Sequence, residues 1–313
     1  MAALLPPPAL PYFCDPAELP GPLPTLDEIE ASTQTLLSPN FELGYHRVVL
    51  IRGQFVVKYG RPPWTTENEG RALLLLLQQH PSIPVPRLYA MYYEGERLFL
   101  IMEYKPGVQL DTVWGDLTEA NKLHLTSQLH DIFAQVRAIP SPGIFAGVAG
   151  GKLRHKYFLS VEPQADVNGP FQTEKDFSLA MALRSQRNRS FQHAPDQRAW
   201  LSEFFVRHLP TALAGHPSVL THGDLQRKNI LVEKVPKAGG GEQGDGEGSG
   251  EEWRVSAVVD WEEAGWYPSY WEYAGVMIHF EWVDDWPEKY ERIVEPCPLE
   301  GGLMWILRQD LEF

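Results

Sequence analysis

The stretch L-T-H-G-D-L-Q-R-K-N-I-L-V, Leu220 to Val232, decides how this chain is read, together with V-V-D-W-E at Val258 to Glu262. It supplies a carboxylate at Asp224 and an amide at Asn229, and the second stretch adds a carboxylate at Asp260. These are the groups needed to take a proton from a hydroxyl and to hold Mg²⁺ against ATP phosphates, so the pattern points to phosphoryl transfer.

The spacing has a physical meaning. Val219 and Leu220 predict the end of a buried strand, His222-Gly223 a turn, and Ile230-Leu231-Val232 the start of the next strand. Asp224 and Asn229 then sit at the two ends of one short loop. Asp260 closes a third apolar run, Val255 to Val259, and emerges at the same edge if the two strands pair as a hairpin. An amide and a carboxylate suit Mg²⁺, a hard cation that takes oxygen ligands. Asp224, offset from them, is free to accept a proton. The tripeptide H-G-D alone is better explained by a turn in which Asp224 caps backbone amides. Asn229 at its spacing, the flanking apolar runs and D-W-E tip the reading to catalysis. His222 is expected to hold the loop by hydrogen bonding rather than to transfer protons.

On these motifs, H-G-D-x-x-x-x-N and D-W-E, the chain resembles the aminoglycoside phosphotransferase family of small-molecule kinases, particularly its divergent fungal members. The resemblance runs from about Leu43 to Tyr273. It implies Asp224 as catalytic base and Asn229 and Asp260 as metal ligands. It also implies a two-lobed, protein-kinase-like α+β fold, with a small antiparallel-sheet N-lobe, a larger and mainly helical C-lobe, and ATP between them. Protein kinases carry H-R-D and D-F-G at these places; neither is present, which favours a small-molecule acceptor.

Upstream, Arg47 to Ile51 and Gln54 to Tyr59 read as a hairpin joined at Arg52-Gly53. Lys58, in F-V-V-K-Y-G, matches the family's phosphate-contacting lysine, although a strand-end lysine facing water is the plain alternative. A helix is expected from Thr65-Thr66 to His80-Pro81. Its Glu69 matches the glutamate that pairs with that lysine in the family, yet Thr66-x-x-Glu69 is also a capping box. Leu98 to Tyr104 reads as a buried strand whose end matches the family's hinge, with backbone groups of about Glu103, Tyr104 and Lys105 on adenine and Met102 lining the pocket. A glycine-rich phosphate loop is the missing part: Asn40 to Val48 offers only Gly44, with Tyr45, His46 and Arg47 beside it.

Thr118 to Ala138 carries Leu123, Leu125, Leu129, Ile132, Phe133 and Val136 near a helical period, with Thr118 as N-cap. Ser141 to Pro170 is rich in turn residues; Arg184 to Arg189 is a basic cluster before a helix around Trp200 to Leu209. The rings of Trp261, Trp266, Tyr267, Trp271 and Tyr273 read as core. Glu281, Asp284 and Asp285 offer a cation-binding acceptor wall or, more simply, a solvated face.

The 313 residues suffice for two lobes and divide as a proline-rich arm over 1–40, an N-lobe over 41–103 and a C-lobe over 104–313. Lys plus Arg of 27 against Asp plus Glu of 41, a net charge of −14, argues against a nucleic-acid partner and is compatible with a cationic acceptor. Ala238 to Glu252 is an acidic, glycine-rich run read as a flexible hairpin tip. Two distant cysteines, no span of transmembrane length and no signal peptide predict a cytoplasmic protein. The resulting expectation is an ATP- and Mg²⁺-dependent kinase acting on a small-molecule hydroxyl. A degenerate nucleotide-binding pseudokinase, suggested by the sparse glycine loop, and a metal-dependent hydrolase using His222, Asp224 and Asp260 are the rival classes.

Overall fold

The computed structural model describes residues 9–36, 46–160, 163–192, 199–236, 251–279 and 282–311, with the backbone alone for 188–192 and 199. In chain order, β1 (Tyr12–Phe13), α1 (Leu26–Ala31), β2 (His46–Ile51), β3 (Phe55–Gly60), α2 (Glu67–Gln79), β4 (Leu88–Glu94) and β5 (Arg97–Glu103) form the N-terminal lobe. Their antiparallel sheet has the order β1-β4-β5-β3-β2.

The strict alternation of a strand divides this sheet into two faces. Val49, Phe55, Val57, Phe99 and Ile101 are buried on one, beneath Ile29 of α1. Leu98, Leu100 and Met102 are buried on the other, against Leu73 and Leu76 of α2. Full burial of each such leucine contributes about 1.5–3 kcal/mol. Lys58 lies between Val57 and Tyr59 in β3 and pairs in register with Val48 and Leu100, which puts its side chain on the α2 face. The proline-rich arm is more ordered than its composition suggests. Residues 9–36 supply β1, paired to β4 through Tyr12↔Met91, and α1, which starts at a complete Thr25–Glu28 capping box.

After β5 the chain crosses to the second lobe through β6 (Val108–Gln109), followed by α3 (Leu110–Val113) and α4 (Glu119–Ala138). Thr118 Oγ1 caps α4 by accepting the Asn121 N–H at 3.2 Å. Leu125, Leu129, Ile132, Phe133 and Val136 form the buried stripe of α4, whereas Leu123 falls off it and is exposed. The remaining elements are β7 (Ala146–Gly147), α5 (Ala165–Asn168), α6 (Glu174–Gln192), α7 (Ala199–Ala212), β8 (Ser218–Thr221), β9 (Ile230–Pro236), β10 (Glu251–Val258), β11 (Gly265–Pro268), α8 (Trp271–Ile278), α9 (Trp286–Tyr290) and α10 (Pro298–Leu311). The basic cluster 184–189 lies within α6.

Two small sheets place the site. β9 and β10 pair as an antiparallel hairpin from Ile230↔Val258 to Pro236↔Glu251, and β6 joins its other edge. α4 braces it, because Gln128 accepts the Val255 N–H at 2.9 Å and donates to the Trp253 carbonyl at 3.1 Å. Glu251 and Glu252, expected in the flexible tip, instead belong to β10; the rest of that run lies outside the described residues. β8 pairs with β11, whose other neighbour is β7. Trp261, Trp266, Tyr267, Trp271 and Tyr273 are buried.

Candidate active site

Asp224 and Asn229 stand at opposite ends of the loop between β8 and β9, and the loop is tied to itself. Asn229 Nδ2 donates to the Asp224 carbonyl at 2.8 Å and to its carboxylate Oδ2 at 3.0 Å, leaving the Asn229 carbonyl oxygen as the acceptor end of that amide. The His222 ring bonds in two directions: Nδ1 accepts the Asp224 N–H at 3.2 Å, so Nε2 carries the proton and donates to the Val259 carbonyl at 3.0 Å. His222 is thus a brace between the loop and the residue before Asp260. Gly223 has φ 88°, and a Cβ there would lie 2.8 Å from the Glu263 carbonyl oxygen, so both conformation and space require glycine. Beneath the loop, the buried Glu272 carboxylate accepts the main-chain N–H groups of His222 at 2.7 Å and Gly223 at 3.3 Å.

Asp260 leaves the end of the hairpin in the left-handed conformation, φ 64° and ψ 55°, uncommon for a side chain larger than glycine though tolerated by Asp. That twist turns its carboxylate to Lys58, 202 residues away in sequence, with Nζ to Oδ1 at 2.9 Å. The same ammonium touches Glu69 at 2.9 Å and Glu262 at 2.8 Å. Glu69 therefore takes the ion-pair role, and Thr66, although it is the N-cap of α2, makes no side-chain capping bond. Asn68, one residue before Glu69, donates to the carbonyls of Glu262 at 2.9 Å and Ala264 at 2.7 Å and accepts the Val148 N–H at 3.2 Å.

One ammonium against three carboxylates leaves the cluster short of positive charge. Burial works against the Lys58 charge, but Asp260, Glu69 and Glu262 outweigh it and hold its pKa well above the usual lysine value. Burial also raises Asp260, and Lys58 more than reverses this, so that carboxylate stays ionised. For Glu69 burial wins: with Asp260 and Glu262 adding repulsion and Lys58 pulling the other way, its carboxyl is pushed up to about 7.

On the far side of Asp224 lie groups that sequence reasoning missed. Gln226 donates its amide to Asp224 Oδ1, and His279, at the C-terminal end of α8, places Nε2 3.4 Å from the same oxygen. Burial lowers the His279 pKa to about 4 and keeps the ring neutral. Glu263 is held well above the ordinary carboxyl range by burial and then by Asp224, with the buried His155 ring 3.9 Å from it. Gln226 stood inside the quoted motif; nothing in the pattern signals His279 or His155. Asp284 and Asp285, read as a free acidic face, are paired instead: Asp284 with Arg227 at 2.6 Å, Asp285 with Lys122 at 2.9 Å. Glu281 lies outside the described residues.

At the strand end, two of the backbone donors expected on adenine are already engaged. The Glu103 N–H donates to the Arg87 carbonyl at 2.8 Å and the Tyr104 N–H to the Gln54 carbonyl at 3.0 Å, so neither donor faces a ligand. Among the described residues the Lys105 N–H has no main-chain partner, and the Met102 side chain is buried at the inner face. Gly44 and Tyr45 lie outside the described residues. Arg47 is turned away from the cleft, bonding Tyr59 and the Ser32 carbonyl at 3.1 Å each.

The model of the phosphotransferase enzyme family matches residues 41–295. The chain belongs to that family. Among solved structures, the phosphotransferase resembles the gentamicin complex of APH(2'')-IIa, with 13% identity, 86% of this chain and 78% of that one covered, and a TM-score of 0.52. It also resembles the ADP-bound aminoglycoside phosphotransferase APH(2'')-Ib and the streptomycin–ATP ternary complex of APH(2'')-IIa. Each has 16% identity, coverage of 89% and 80%, and a TM-score of 0.54. At such identities the likeness establishes the fold: two-lobed, kinase-like and α+β. No curated protein matches the chain. Among the described residues, no helix is long and apolar enough to cross a membrane.

Proposed function

We propose that this phosphotransferase moves the terminal phosphoryl group of ATP to a hydroxyl of a small molecule, with Mg²⁺ as cofactor. The observation that carries the reading is the direct contact of Lys58 with Asp260 at 2.9 Å, which unites the N-lobe sheet with the end of the C-lobe hairpin beside Asn229 and Asp224. The donor set fits the cation: the Asp260 carboxylate and the Asn229 carbonyl oxygen are hard ligands. Mg²⁺ held by Asp260 and Asn229 would supply neutralisation of phosphate charge.

The remaining roles fall to the chain itself. Lys58 holds a phosphate oxygen, and Glu69 holds Lys58. Lys105 N–H and Met102 seat the adenine, with the Glu103 and Tyr104 backbone shaping that edge. Asp224 accepts the acceptor's hydroxyl proton at a carboxylate oxygen, while Asn229 and His222 fix its aim. Membership of a phosphotransferase family sets the hydrolase reading aside, and the presence of Lys58, Glu69, Asp224, Asn229 and Asp260 together weighs against a pseudokinase. The named relatives bind gentamicin and streptomycin, which makes hydroxylated small molecules, aminoglycosides included, the panel to test.

The test is ADP release across that panel with wild type and Asp224→Asn. The variant should lose about 10²- to 10⁴-fold in turnover while keeping near wild-type affinity for Mg·ATP, since only proton acceptance is removed. Collapse of nucleotide affinity with an unchanged residual rate would assign Asp224 to the metal instead.

A further inference from the structure

An ammonium has three N–H donors and no acceptor. In Lys58 all three face carboxylates, at 2.9 Å to Glu69, 2.9 Å to Asp260 and 2.8 Å to Glu262. A phosphate oxygen can reach Lys58 only when one of them leaves. We propose that Glu262 is a built-in competitor of the nucleotide: its carboxylate occupies the position on Lys58 that a phosphate oxygen takes, and it must swing away for ATP to dock.

Three observations single out Glu262. The Glu69 side chain is 6% exposed and that of Asp260 32%, whereas that of Glu262 is 39% exposed, so releasing it to water costs least. Its main chain cannot follow, because Asn68 holds the Glu262 carbonyl and the buried Trp261 anchors the same turn through Nε1 to the Val258 carbonyl at 2.9 Å. The motion is therefore a side-chain rotation within a fixed backbone. Third, an incoming triphosphate adds negative charge beside three carboxylates, and displacing the mobile one removes the nearest repulsion. Glu262 thus sets how much free energy the nucleotide must supply to bind.

This inference rests on the reading of Lys58 as the phosphate ligand, and the test separates the two. Calorimetric titration of the full chain with Mg·ATP, and with ATP in EDTA, should show Glu262→Ala binding both about three- to tenfold more tightly than wild type, in line with loss of a half-exposed ion pair and of like-charge repulsion. Glu262→Gln, which keeps the shape and loses the charge, should move in the same direction by less. In a Lys58→Ala background the gain from Glu262→Ala should shrink to less than about twofold, because the competition acts through Lys58 and only the screened repulsion of a part-exposed carboxylate remains. Unchanged or weaker ATP binding by a folded Glu262→Ala overturns the proposal. Weakening confined to the Mg²⁺ titration also overturns it, by making Glu262 a metal ligand. If Lys58→Ala binds ATP as wild type does, or if neither wild type nor Glu262→Ala binds ATP, the reading of the site falls and the competitor with it.

Discussion

Glu272 accepts the main-chain N–H of His222 at 2.7 Å from below the loop that carries Asp224, and the adjacent Gly223 N–H at 3.3 Å. Buried amides of a loop have few other partners, so this one carboxylate, on α8, sets the height of the loop. Burial raises its pKa, and His222 and Arg137 pull it back. Glu272→Ala should cost about 2–4 kcal/mol in urea unfolding, the penalty for orphaned buried donors, and should lower turnover as well. Glu272→Gln, with one acceptor oxygen left, should fall between. A stable and fully active alanine variant would show that the loop holds its shape without this support.

Asp260 is held ionised by Lys58 and is the charged one of the two proposed metal ligands. In thermal melts, ATP should stabilise wild type more with Mg²⁺ than without, by about 2–4 °C for each kcal/mol of linked binding. Asp260→Ala should lose most of the Mg²⁺-dependent part. Equal shifts in the two proteins would remove Asp260 from the metal site.

Glu69 gives the site a pH signature. Its carboxyl is raised from 4.5 to about 7 in the fold, so the folded protein holds a proton that the unfolded chain releases. The stability from that proton is complete below about pH 4.5 and is lost as pH rises through about 7, up to about 3 kcal/mol in all. Glu69→Gln cannot titrate. The stability difference, wild type minus variant, should therefore fall between pH 5 and pH 8 in urea unfolding. A difference that stays flat over the same window would mean that Lys58 holds Glu69 ionised throughout.

The hairpin fixes a remote-loop prediction. Pro236 pairs with Glu251 at one end of β9–β10, while Asn229 precedes the strand start and Asp260 follows the strand end at the other. Replacing residues 237–250 by Asn-Gly, the pair suited to a two-residue hairpin turn, should leave ATP affinity and turnover within about threefold. A large loss of turnover in a folded variant would place that segment at the cleft.

What the sequence made legible follows from which forces act locally. The loop from His222 to Asn229, the hairpin to Asp260 and the helix bearing Glu69 were readable because apolar runs and turn residues specify them over a few positions. The capping box at Thr66–Glu69 stayed open as the alternative for the same reason: local pattern allows it, and only Lys58, brought in by sheet pairing, outbids the cap. Donors at Glu103 and Tyr104 were spent by carbonyls of Arg87 and Gln54, partners that no window around the strand end contains. His279 reaches Asp224 from the end of α8, by packing that is purely tertiary. Glu262 stood in the quoted motif, but its contact with Lys58 spans 204 positions and has no local trace.

Asn68, Glu69 and Gly70 are consecutive on α2, and each turns about 100° from the last. Asn68 faces the turn after Asp260, Glu69 faces Lys58, and Gly70 faces the sheet so closely that a Cβ would lie 2.7 Å from Met91 Sδ. A single helical turn is thus a caliper set between sheet and metal loop. A methyl group added at Gly70 would push that caliper open, and the change would be felt as a longer Lys58–Glu69 distance rather than as a fault in the core where it was made.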